Sequence, residues 1–350
     1  MNDYPKVAII LLTWNNIIEA LHCLNLLYEL DYPNFEVIIV DNNSQKNPEP
    51  ILINRFPNIR FFRLENNLGY TGGNNFGLRY AERNGFQYSW LLNCDVIVKF
   101  DTLTNLVMNV SSNPKIGLAS PIIYDNPMSR QLTHCGTIFN FSRGYEIQVK
   151  NLVNSISIQK TPFCTGCLWG TALFINMELI HSVGYLDDMF FAYYEDYDFS
   201  IRASKAGFRN VVVPTAVVYH EPKVFKNTPA YYFFYMLRNR VILWKKHGKI
   251  NLNFLILFCY EVTGLIYYFQ QRNQNENSKA VVDAVFYLIK AKHGRWDERS
   301  NVPITISRFV NNNLAFWRYT TAILRRILIL IHPKKERLIF SPSIIFADRL

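Results

Sequence analysis

The chain has 350 residues and a formal net charge of +10, with 49% hydrophobic and 15% aromatic residues. This composition excludes global disorder and leaves room for one large α/β domain, alone or with a substantial appendage. The charge is uneven, because residues 1–220 hold 16 Lys and Arg against 19 Asp and Glu, whereas residues 221–350 hold 21 against 8. The asymmetry predicts two parts with different functions.

The first third of the chain alternates between predicted strands and helices. Apolar runs at Val7–Leu12, Phe35–Val40 and Ile59–Arg63 are typical of buried parallel strands. Helical periodicity covers residues 17–30 and 48–56. This order predicts a Rossmann-like, mostly parallel α/β sheet flanked by helices, in which ligands bind beyond the carboxyl ends of the strands.

Polar side chains follow each of these strands. Thr13 and Asn15 come after the first strand, Asp41 after the second, and Asn66 and Asn67 after the third. Because the carboxyl ends of parallel strands meet at one edge of a sheet, these residues predict a binding site there.

A glycine-rich segment at residues 66–83 follows the third strand. Gly69, Gly72 and Gly73 are expected in a loop that leads into a helix from about Asn74, where backbone N–H groups can approach an anion. The segment lacks the P-loop pattern, and no Gly-x-Gly-x-x-Gly follows the first strand. A P-loop NTPase and a simple dinucleotide dehydrogenase are therefore both disfavoured.

The segment Tyr88–Val98 carries an Asn-Cys-Asp triplet, ending at Asp95, within an apolar strand. A buried acid must be paired, hydrogen-bonded or bound to a cation, and Mg²⁺ with a diphosphate is a natural partner for one carboxylate. The alternative is that Asp95 caps the helix near 101–110. It is less attractive because Asp101 already occupies that N-cap position.

The densest cluster of ionisable residues lies in the segment Asp187–His220, where aromatic residues surround the acids Asp187, Asp188, Glu195, Asp196 and Asp198. Carboxylates beside aromatic walls tend to have shifted pKa values, as a catalytic base requires. The alternative, an acidic helix N-terminus, accounts for one or two of these acids. The helical pattern ends near Gly207, and Val211–Val213 and Ala216–Tyr219 are predicted as short buried strands.

These motifs resemble the inverting family 2 glycosyltransferases, which have the GT-A nucleotide-sugar fold. Five motifs match in order over about residues 5–245, namely TWNN, VDNNS, NLGYTGGNN, LLNCDV and YYEDYDFSIRASKAGF. The resemblance is greatest to the branch with bacterial rhamnosyltransferases and related O-antigen and capsule enzymes. It implies a catalytic domain at residues 1–245, followed by a basic helical region at 246–350.

The resemblance also implies an activity and a set of site residues. A sugar would pass, with inversion, from a UDP- or dTDP-sugar such as dTDP-rhamnose to a hydroxyl of a lipid-linked or growing surface glycan. Asp196 is the expected base, and Glu195 would hold its geometry or shift its pKa. Nucleotide-sugar contacts are expected from Thr13, Asn15, Asp41, Asn67, Gly72, Gly73, Asn74, Asn93 and Asp95. The acceptor pocket is expected at Gly166, Trp169 and Gly170.

The expected cofactor is Mg²⁺ or Mn²⁺, held by Asp95 with help from His220. Asn93 stands where the family's D-x-D motif has its first acid, and an amide hydrogen-bonds but brings no charge. A structural role in the core remains an alternative for His220 and for Trp169, since a lone His or Trp more often packs in a core. Asp198 and Arg202 are expected to form a structural i, i+4 pair.

The C-terminal third differs in character. Tyr231–Trp244 is predicted to be a helix that closes the catalytic domain, and Asn253–Phe269 is apolar but broken by Glu261. These stretches and Ala322–Ile331 are interrupted or flanked by basic pairs at Lys245-Lys246, Arg325-Arg326 and Lys334-Lys335. That pattern favours interfacial helices at an anionic membrane surface, and the alternative is a helical subdomain with a basic surface. No nucleic-acid-binding module is visible.

The compartment follows from the cysteines and the N-terminus. Cys164 and Cys167 form the single C-x-x-C pair, without a second ligand pair or a thioredoxin-like context, so structural thiols are favoured over zinc or redox chemistry. The N-terminal residues lack the features of a secretory signal. Together these favour a cytoplasmic protein, peripheral at the inner face of the cell membrane.

Two other classes of function remain. A sugar-phosphate nucleotidyltransferase would carry a Gly- and Arg-rich loop after the first strand, where TWNN stands instead. A non-enzymatic scaffold would not explain why Asp41, Asp95 and Asp196 occur at these positions.

Overall fold

The computed structural model describes residues 4–151, 161–221, 228–299, 302–303, 309–310 and 312–331. The backbone contacts divide the chain into two compact units. Unit 1 comprises Met1–Thr137 and Val149–Pro222, and unit 2 comprises Ile138–Gln148 and Lys223–Leu350.

The twelve strands of the described residues are short, as expected for an α/β protein. They are β1 (Val7–Thr13), β2 (Phe35–Asp41), β3 (Arg60–Arg63), β4 (Tyr88–Asn93), β5 (Ile97–Val98), β6 (Ile116–Tyr124), β7 (Leu132–His134), β8 (Thr137–Asn140), β9 (Tyr145–Gln148), β10 (Phe163–Thr165), β11 (Ala172–Asn176) and β12 (Arg209–Tyr219).

The helices alternate with the strands in the first half of the chain and follow one another in the last third. They are α1 (Ile17–Leu27), α2 (Glu49–Arg55), α3 (Gly69–Arg83), α4 (Thr102–Ser111), α5 (Met177–Val183), α6 (Glu195–Lys205), α7 (Ala230–His247), α8 (Leu252–Gln271), α9 (Asn275–Ile289) and α10 (Leu314–Ile331).

Unit 1 is built on a mixed sheet with the strand order β10-β12-β6-β11-β4-β1-β2-β3. The run β4-β1-β2-β3 is parallel, whereas β11 lies antiparallel between β4 and β6. Thr13 pairs with Asp41, and Asp41 pairs with Arg63, so the polar ends of three parallel strands lie at one edge of the sheet. The predicted fold class is confirmed.

Alternation along β1 explains how the sheet is covered on both faces. Val7, Ile9 and Leu11 join one apolar core with residues of α1 and α4, while Ala8 and Ile10 join a second core with residues of α3 and α6. All five side chains are fully buried. This double burial is typical of parallel strands and holds the carboxyl-end edge rigidly.

Strand β12 differs from its prediction as two short strands. It runs unbroken from Arg209 to Tyr219, with its register against β6 shifting between Val213 and Val217. Pro214 lies in that interval and cannot donate to the ladder, which accounts for the apparent break in the sequence pattern.

Unit 2 contains the helices α7 to α10 and, from Ile138 on, the β8–β9 hairpin. The domain boundary expected at residue 245 falls inside α7, and the contacts group that whole helix with unit 2. The reason lies in its packing, since Phe234 of α7 stacks on Trp296 and meets Tyr287 of α9 edge-on.

Helix α8 is longer than the apolar stretch predicted from the sequence. It has 20 residues with a mean hydropathy of 1.5 in its most apolar window, enough by length and composition to cross a membrane, although half of that window is buried inside the structure. Glu261, which interrupts the apolar pattern, is buried and accepts a hydrogen bond from Arg240 Nη1 at 2.6 Å. The predicted basic pair Lys334-Lys335 lies outside the described residues.

Candidate active site

Two adjacent acids begin helix α6. Glu195 is 4% exposed, and its Oε2 atom has no hydrogen-bond partner in the part of the chain that the structure describes. Asp196 keeps some exposure, and its two carboxylate oxygens accept from the backbone N–H groups of Gly170 at 2.8 Å and Tyr197 at 2.7 Å. The two neighbours thus sit in different surroundings, as their adjacent places on a helix allow.

The surroundings raise the pKa values of both carboxyl groups. Burial, which penalises the charged form, raises the pKa of Asp196 to about 6, against hydrogen bonds from backbone N–H groups that favour the carboxylate. Burial, and then the charge of Asp196, raise the pKa of Glu195 well above its usual value. The two adjacent carboxyl groups interact, so the protonated form of Glu195 is favoured beside the Asp196 carboxylate.

The loop before α6 holds three aromatic residues in an unusual backbone conformation. Phe191, Tyr193 and Tyr194 have φ values of 64°, 66° and 73°, in the left-handed region that non-glycine residues seldom adopt. Tyr194 is the N-cap residue of α6. Strain of this kind is retained where the surrounding structure enforces it, and it often occurs at functional sites.

Helix α3 contacts this loop and supports its conformation. The backbone N–H of Thr71 donates to the Phe191 carbonyl at 3.1 Å. A Cβ atom at Gly69 would lie 2.3 Å from that same carbonyl oxygen, so only glycine permits the approach. The buried Asn75 of α3 donates to the Leu186 carbonyl and accepts from its N–H group.

Trp169 and Gly170, which are predicted to line the acceptor pocket, both contact α6. Trp169 Nε1 donates to Tyr197 Oη at 2.8 Å, and its ring stacks on His134 with centroids 4.0 Å apart. Gly170 binds Asp196 through its N–H group. Gly166 lies farther along the same segment, and its carbonyl accepts from Asn210 of β12.

Tyr70 is a site residue that the sequence analysis missed. Its hydroxyl donates to the Gly170 carbonyl at 2.6 Å, so Gly170 is held between Tyr70 and Asp196. Burial, and then the charges of Glu195 and Asp196, raise the pKa of Tyr70 well above its usual value, which keeps the phenol neutral. A tyrosine inside the glycine-rich motif was the available signal.

The other acids of the cluster have structural partners. Asp198 is fully buried and binds Arg202 Nε at 2.8 Å, which confirms the predicted i, i+4 pair. Asp188 accepts from Asn75, and Asp187 accepts from the N–H group of Met189.

Asp41, a predicted nucleotide-sugar contact, is completely buried at the end of β2. It accepts from the hydroxyl and N–H groups of Ser44 and from Arg63 Nη1 at 2.9 Å. Arg63 was also missed, although the parallel pairing of β2 and β3 places it beside Asp41. The Asp41 carboxylate therefore fixes the turn after β2 and holds the guanidinium group of Arg63 at the ends of the strands.

Thr13 and Asn15 lie in the turn after β1. The buried Thr13 hydroxyl donates to Asn16 Oδ1 at 2.7 Å. Asn15 is exposed with φ 57°, accepts from the Gln45 N–H group, and its own N–H group donates to Ser44. The turns after β1 and β2 are thus tied together at the strand ends.

The glycine-rich segment differs from its prediction as a loop. Helix α3 begins at Gly69 rather than near Asn74, so Gly72 and Gly73 lie in its first turns. A Cβ atom at Gly73 would come within 2.3 Å of Leu12 Cδ1, because the helix crosses close to β1. Asn74 is buried, and its amide donates back to the Tyr70 carbonyl at 2.9 Å.

Asn67 lies immediately before Leu68, the N-cap residue of α3. Its Oδ1 accepts from the Gly69 N–H group at 2.8 Å and from the buried Asn42 amide at 3.0 Å. Asn42 in turn accepts from the Leu68 N–H group. Asn42 follows Asp41 directly and joins the ends of β2 and α3, a connection the sequence did not reveal.

The predicted metal-binding residues meet at one place. His220 Nε2 lies 3.3 Å from Asp95 Oδ1, and none of the described residues forms a hydrogen bond with the buried His220 Nδ1. Asn93 ends β4 just before Asp95 and donates its N–H group to the Thr171 carbonyl. Within the described residues, no group of three or more His, Cys, Asp or Glu side chains is placed to hold a metal ion.

Residues 8–178 match the sequence profile described as Glycosyl transferase family 2. The chain carries a glycosyl transferase family 2 domain. The predicted family is confirmed, and the nucleotidyltransferase alternative is not favoured. The matched segment covers β1 to β11 and ends before α6, so it does not include Glu195 or Asp196.

Two curated relatives of the transferase carry rhamnosyltransferase names. The N-acetylglucosaminyl-diphospho-decaprenol L-rhamnosyltransferase of Mycobacterium tuberculosis (strain ATCC 25618 / H37Rv) is 25% identical over 209 residues, or 53% of this chain and 66% of that protein. The dTDP-rhamnosyl transferase RfbF of Shigella flexneri is 22% identical over 217 residues, or 61% of this chain and 69% of that protein. The chain spans about two thirds of the length of these relatives.

A solved structure with a similar fold is the mannosyltransferase PcManGT from Pyrobaculum calidifontis, in complex with GDP-Man and Mn²⁺. It superimposes with a TM-score of 0.51 at 18% identity, covering 94% of this chain and 88% of that chain. At this identity the likeness supports the GT-A fold of the transferase and nothing finer.

Proposed function

We propose that the chain transfers a sugar, with inversion, from a nucleotide-diphosphate donor to a hydroxyl group of a glycan acceptor. The observation that carries the proposal is the unequal acid pair at the start of α6. A general base works best when its pKa is near the operating pH, and burial raises the pKa of Asp196 to about 6. Asp196 is the proposed base, and Glu195 is its neutral neighbour.

The proposed reaction is a single displacement. The acceptor O–H bond breaks as its proton passes to Asp196, and the acceptor oxygen bonds to the anomeric carbon opposite the leaving group. The bond from that carbon to the diphosphate oxygen breaks, and its electron pair leaves with the diphosphate. Gly170 and Tyr197 hold the Asp196 carboxylate by backbone hydrogen bonds, so its orientation does not depend on the substrate.

The donor nucleotide is proposed to bind at the carboxyl edge of the sheet. The turns after β1 and β2, with Thr13, Asn15 and Asp41, would contact the nucleoside directly or through the groups they hold. The segment Asn67–Asn74, with Gly72 and Gly73, and Asn93 would line the rest of the pocket. A UDP- or dTDP-sugar is favoured, in part because a relative is named a dTDP-rhamnosyl transferase.

Asp95 and His220 are the residues proposed to hold a divalent cation, Mg²⁺ or Mn²⁺. Asp95 Oδ1 and His220 Nε2 lie 3.3 Å apart, close enough for both atoms to ligate one ion, and Mg²⁺ or Mn²⁺ sites commonly complete their coordination with substrate phosphates and water. When bound, the cation would neutralise charge that develops on the departing diphosphate. Donor binding before and after chelation, followed by back-titration with each metal, would identify the ion.

The acceptor is proposed to approach along Gly166, Trp169 and Gly170, with a lipid-linked or growing surface glycan as the favoured class. The name of the mycobacterial relative specifies a lipid-linked substrate for that protein. Such an acceptor would place the chain at the cytoplasmic face of a membrane, as a peripheral protein.

The test begins with a panel of nucleotide sugars, scored for saturable binding and slow donor hydrolysis. With the donor identified, proton NMR of the early product reports the anomeric configuration directly. Inversion relative to the donor is expected, because no second carboxylate is assigned beneath the anomeric carbon. A retained configuration would overturn the proposed mechanism.

A further inference from the structure

Within unit 2, helices α8 and α10 pack side by side and run antiparallel. Leu324 and Leu328 of α10 join an apolar cluster with Leu257 and Tyr260 of α8. At the other end of α8, Gln270 donates to the backbone carbonyl of Val310, just before α10 begins. The end of α10 therefore lies beside the start of α8.

Each helix leaves an apolar stripe uncovered. On α8, Leu252, Leu255 and Cys259 recur at helical spacing, with Leu252 70% exposed. On α10, the exposed Phe316, Tyr319 and Ile323 follow the same i, i+3, i+7 spacing, and Tyr319 is 72% exposed. With about 100° of rotation per residue, both stripes lie on the same side of the antiparallel pair. We call these six residues the α8–α10 face.

The charges around the α8–α10 face are positive. The exposed Lys245, Lys246 and Lys249 immediately precede α8, and the exposed Arg325 and Arg326 lie at the end of α10 that packs against the start of α8. The acid of α8, Glu261, is buried on the opposite side with Arg240, and the sequence of α10 contains no acid.

We infer that the α8–α10 face is inserted into the interfacial region of an anionic lipid bilayer, with the basic cluster at the headgroups. An apolar stripe rimmed by Lys and Arg is typical of a helix that lies in the plane of a membrane. A second copy of the chain fits less well, because this face presents no exposed acid that could pair with the basic cluster of a partner copy. Helix α8 lies in the interfacial region rather than spanning the bilayer, since half of its most apolar window is buried inside the structure.

This inference rests on the peripheral location proposed above, and it is tested by measuring vesicle binding alone. Failure would therefore leave donor binding and transfer unaffected. The probe is a vesicle of phosphatidylcholine with phosphatidylglycerol, compared with a vesicle of phosphatidylcholine alone. Leu255→Glu, Tyr319→Glu and Ile323→Glu place a charge on the face at exposed positions. Ile289→Glu, at an exposed apolar residue of α9, is the matched control.

The wild-type protein and Ile289→Glu should float with the anionic vesicles, and each face variant should bind at least about tenfold more weakly. Raised salt should weaken wild-type binding without abolishing it, because salt screens the charges and not the apolar contact. No wild-type binding, or equal loss in the control, would overturn the inference. Complete release by salt together with unaffected face variants would also overturn it, since the basic cluster alone would then suffice.

The native cysteines give a second measurement without substitution. Cys259 lies on the α8–α10 face and Cys164 lies in unit 1, and both are exposed. Vesicle binding should slow the reaction of Cys259 with a membrane-impermeant maleimide and leave Cys164 reactive. Unchanged reactivity of Cys259 on bound protein would contradict the inference, as would equal protection of both thiols. Sedimentation without lipid should show no dimer that the face variants dissociate; such a dimer would identify a second copy as the occupant.

Discussion

The backbone N–H group of Gly170 donates to Asp196 Oδ2 at 2.8 Å, which fixes the carboxylate of the proposed base against the acceptor-side segment. The Gly170 carbonyl accepts from Tyr70, so one residue without a side chain joins the base to the glycine-rich helix α3. A Cβ atom at Gly170 would lie 2.8 Å from the Tyr70 hydroxyl, so a larger residue would displace one of these partners.

The pH dependence of transfer should follow the ionisation of Asp196. Its pKa is raised to about 6, and a general base acts in its deprotonated form. The rate should therefore rise with pH through about 6 and then level off. Saturating-donor rates measured from about pH 5 to about pH 8 would test this. A rate that falls with pH across that interval would assign the group another role.

Glu195→Gln should be milder than a change at Asp196. Burial and the charge of Asp196 raise the pKa of Glu195 and favour its protonated form, and an amide of the same shape replaces a neutral acid closely. The rate should fall by no more than about tenfold, and the pH midpoint should stay near that of the wild type. Glu178→Gln, at an exposed acid of α5, is the control. A larger loss for Glu195→Gln than for Asp196→Asn would exchange the two roles.

Tyr70→Phe removes the hydroxyl that holds the Gly170 carbonyl. Loss of this hydrogen bond should loosen the support of the base and lower kcat by roughly three- to tenfold, with donor Kd unchanged. Tyr80→Phe removes a hydroxyl from the same helix, where it meets Glu36, and should have no effect on kcat. A change in donor Kd with constant kcat would place Tyr70 in the nucleotide pocket instead.

The sequence predicted the sheet and the acid pair because their signals are local. Apolar runs define buried strands, and a polar residue after each run marks the strand end. The start of α3 at Gly69 was not predictable in this way. Glycines usually indicate a loop, whereas Gly73 lies inside the helix and lets it pass close to Leu12 of β1. The roles of Tyr70 and Arg63 also depend on contacts between segments that are distant in sequence or joined only by strand pairing.

Gly73→Ala tests why a glycine is required at position 73, either for close packing against β1 or for the approach of a bound nucleotide. The added methyl group would meet Leu12 Cδ1 at 2.3 Å, so the free energy of unfolding should fall by about 1–3 kcal/mol with little change in donor Kd. Leu12→Val shortens the opposing side chain, and the double variant should lose less stability than the two single variants combined. Denaturant unfolding measures all three. Unchanged stability with lost donor binding would instead place Gly73 against the nucleotide.

Asp196→Asn, with donor binding and transfer measured separately on the same protein, tests the assignment of the base most directly. The amide oxygen can still accept from the Gly170 N–H group, the Tyr197 N–H group loses its acceptor, and the amide cannot take the acceptor proton. Donor Kd, measured by calorimetry, should stay within a few-fold of the wild type, and the transfer rate should fall by about 10²–10⁴. Retained transfer, or a loss of donor binding equal to the loss of rate, would contradict the assignment of Asp196 as the catalytic base.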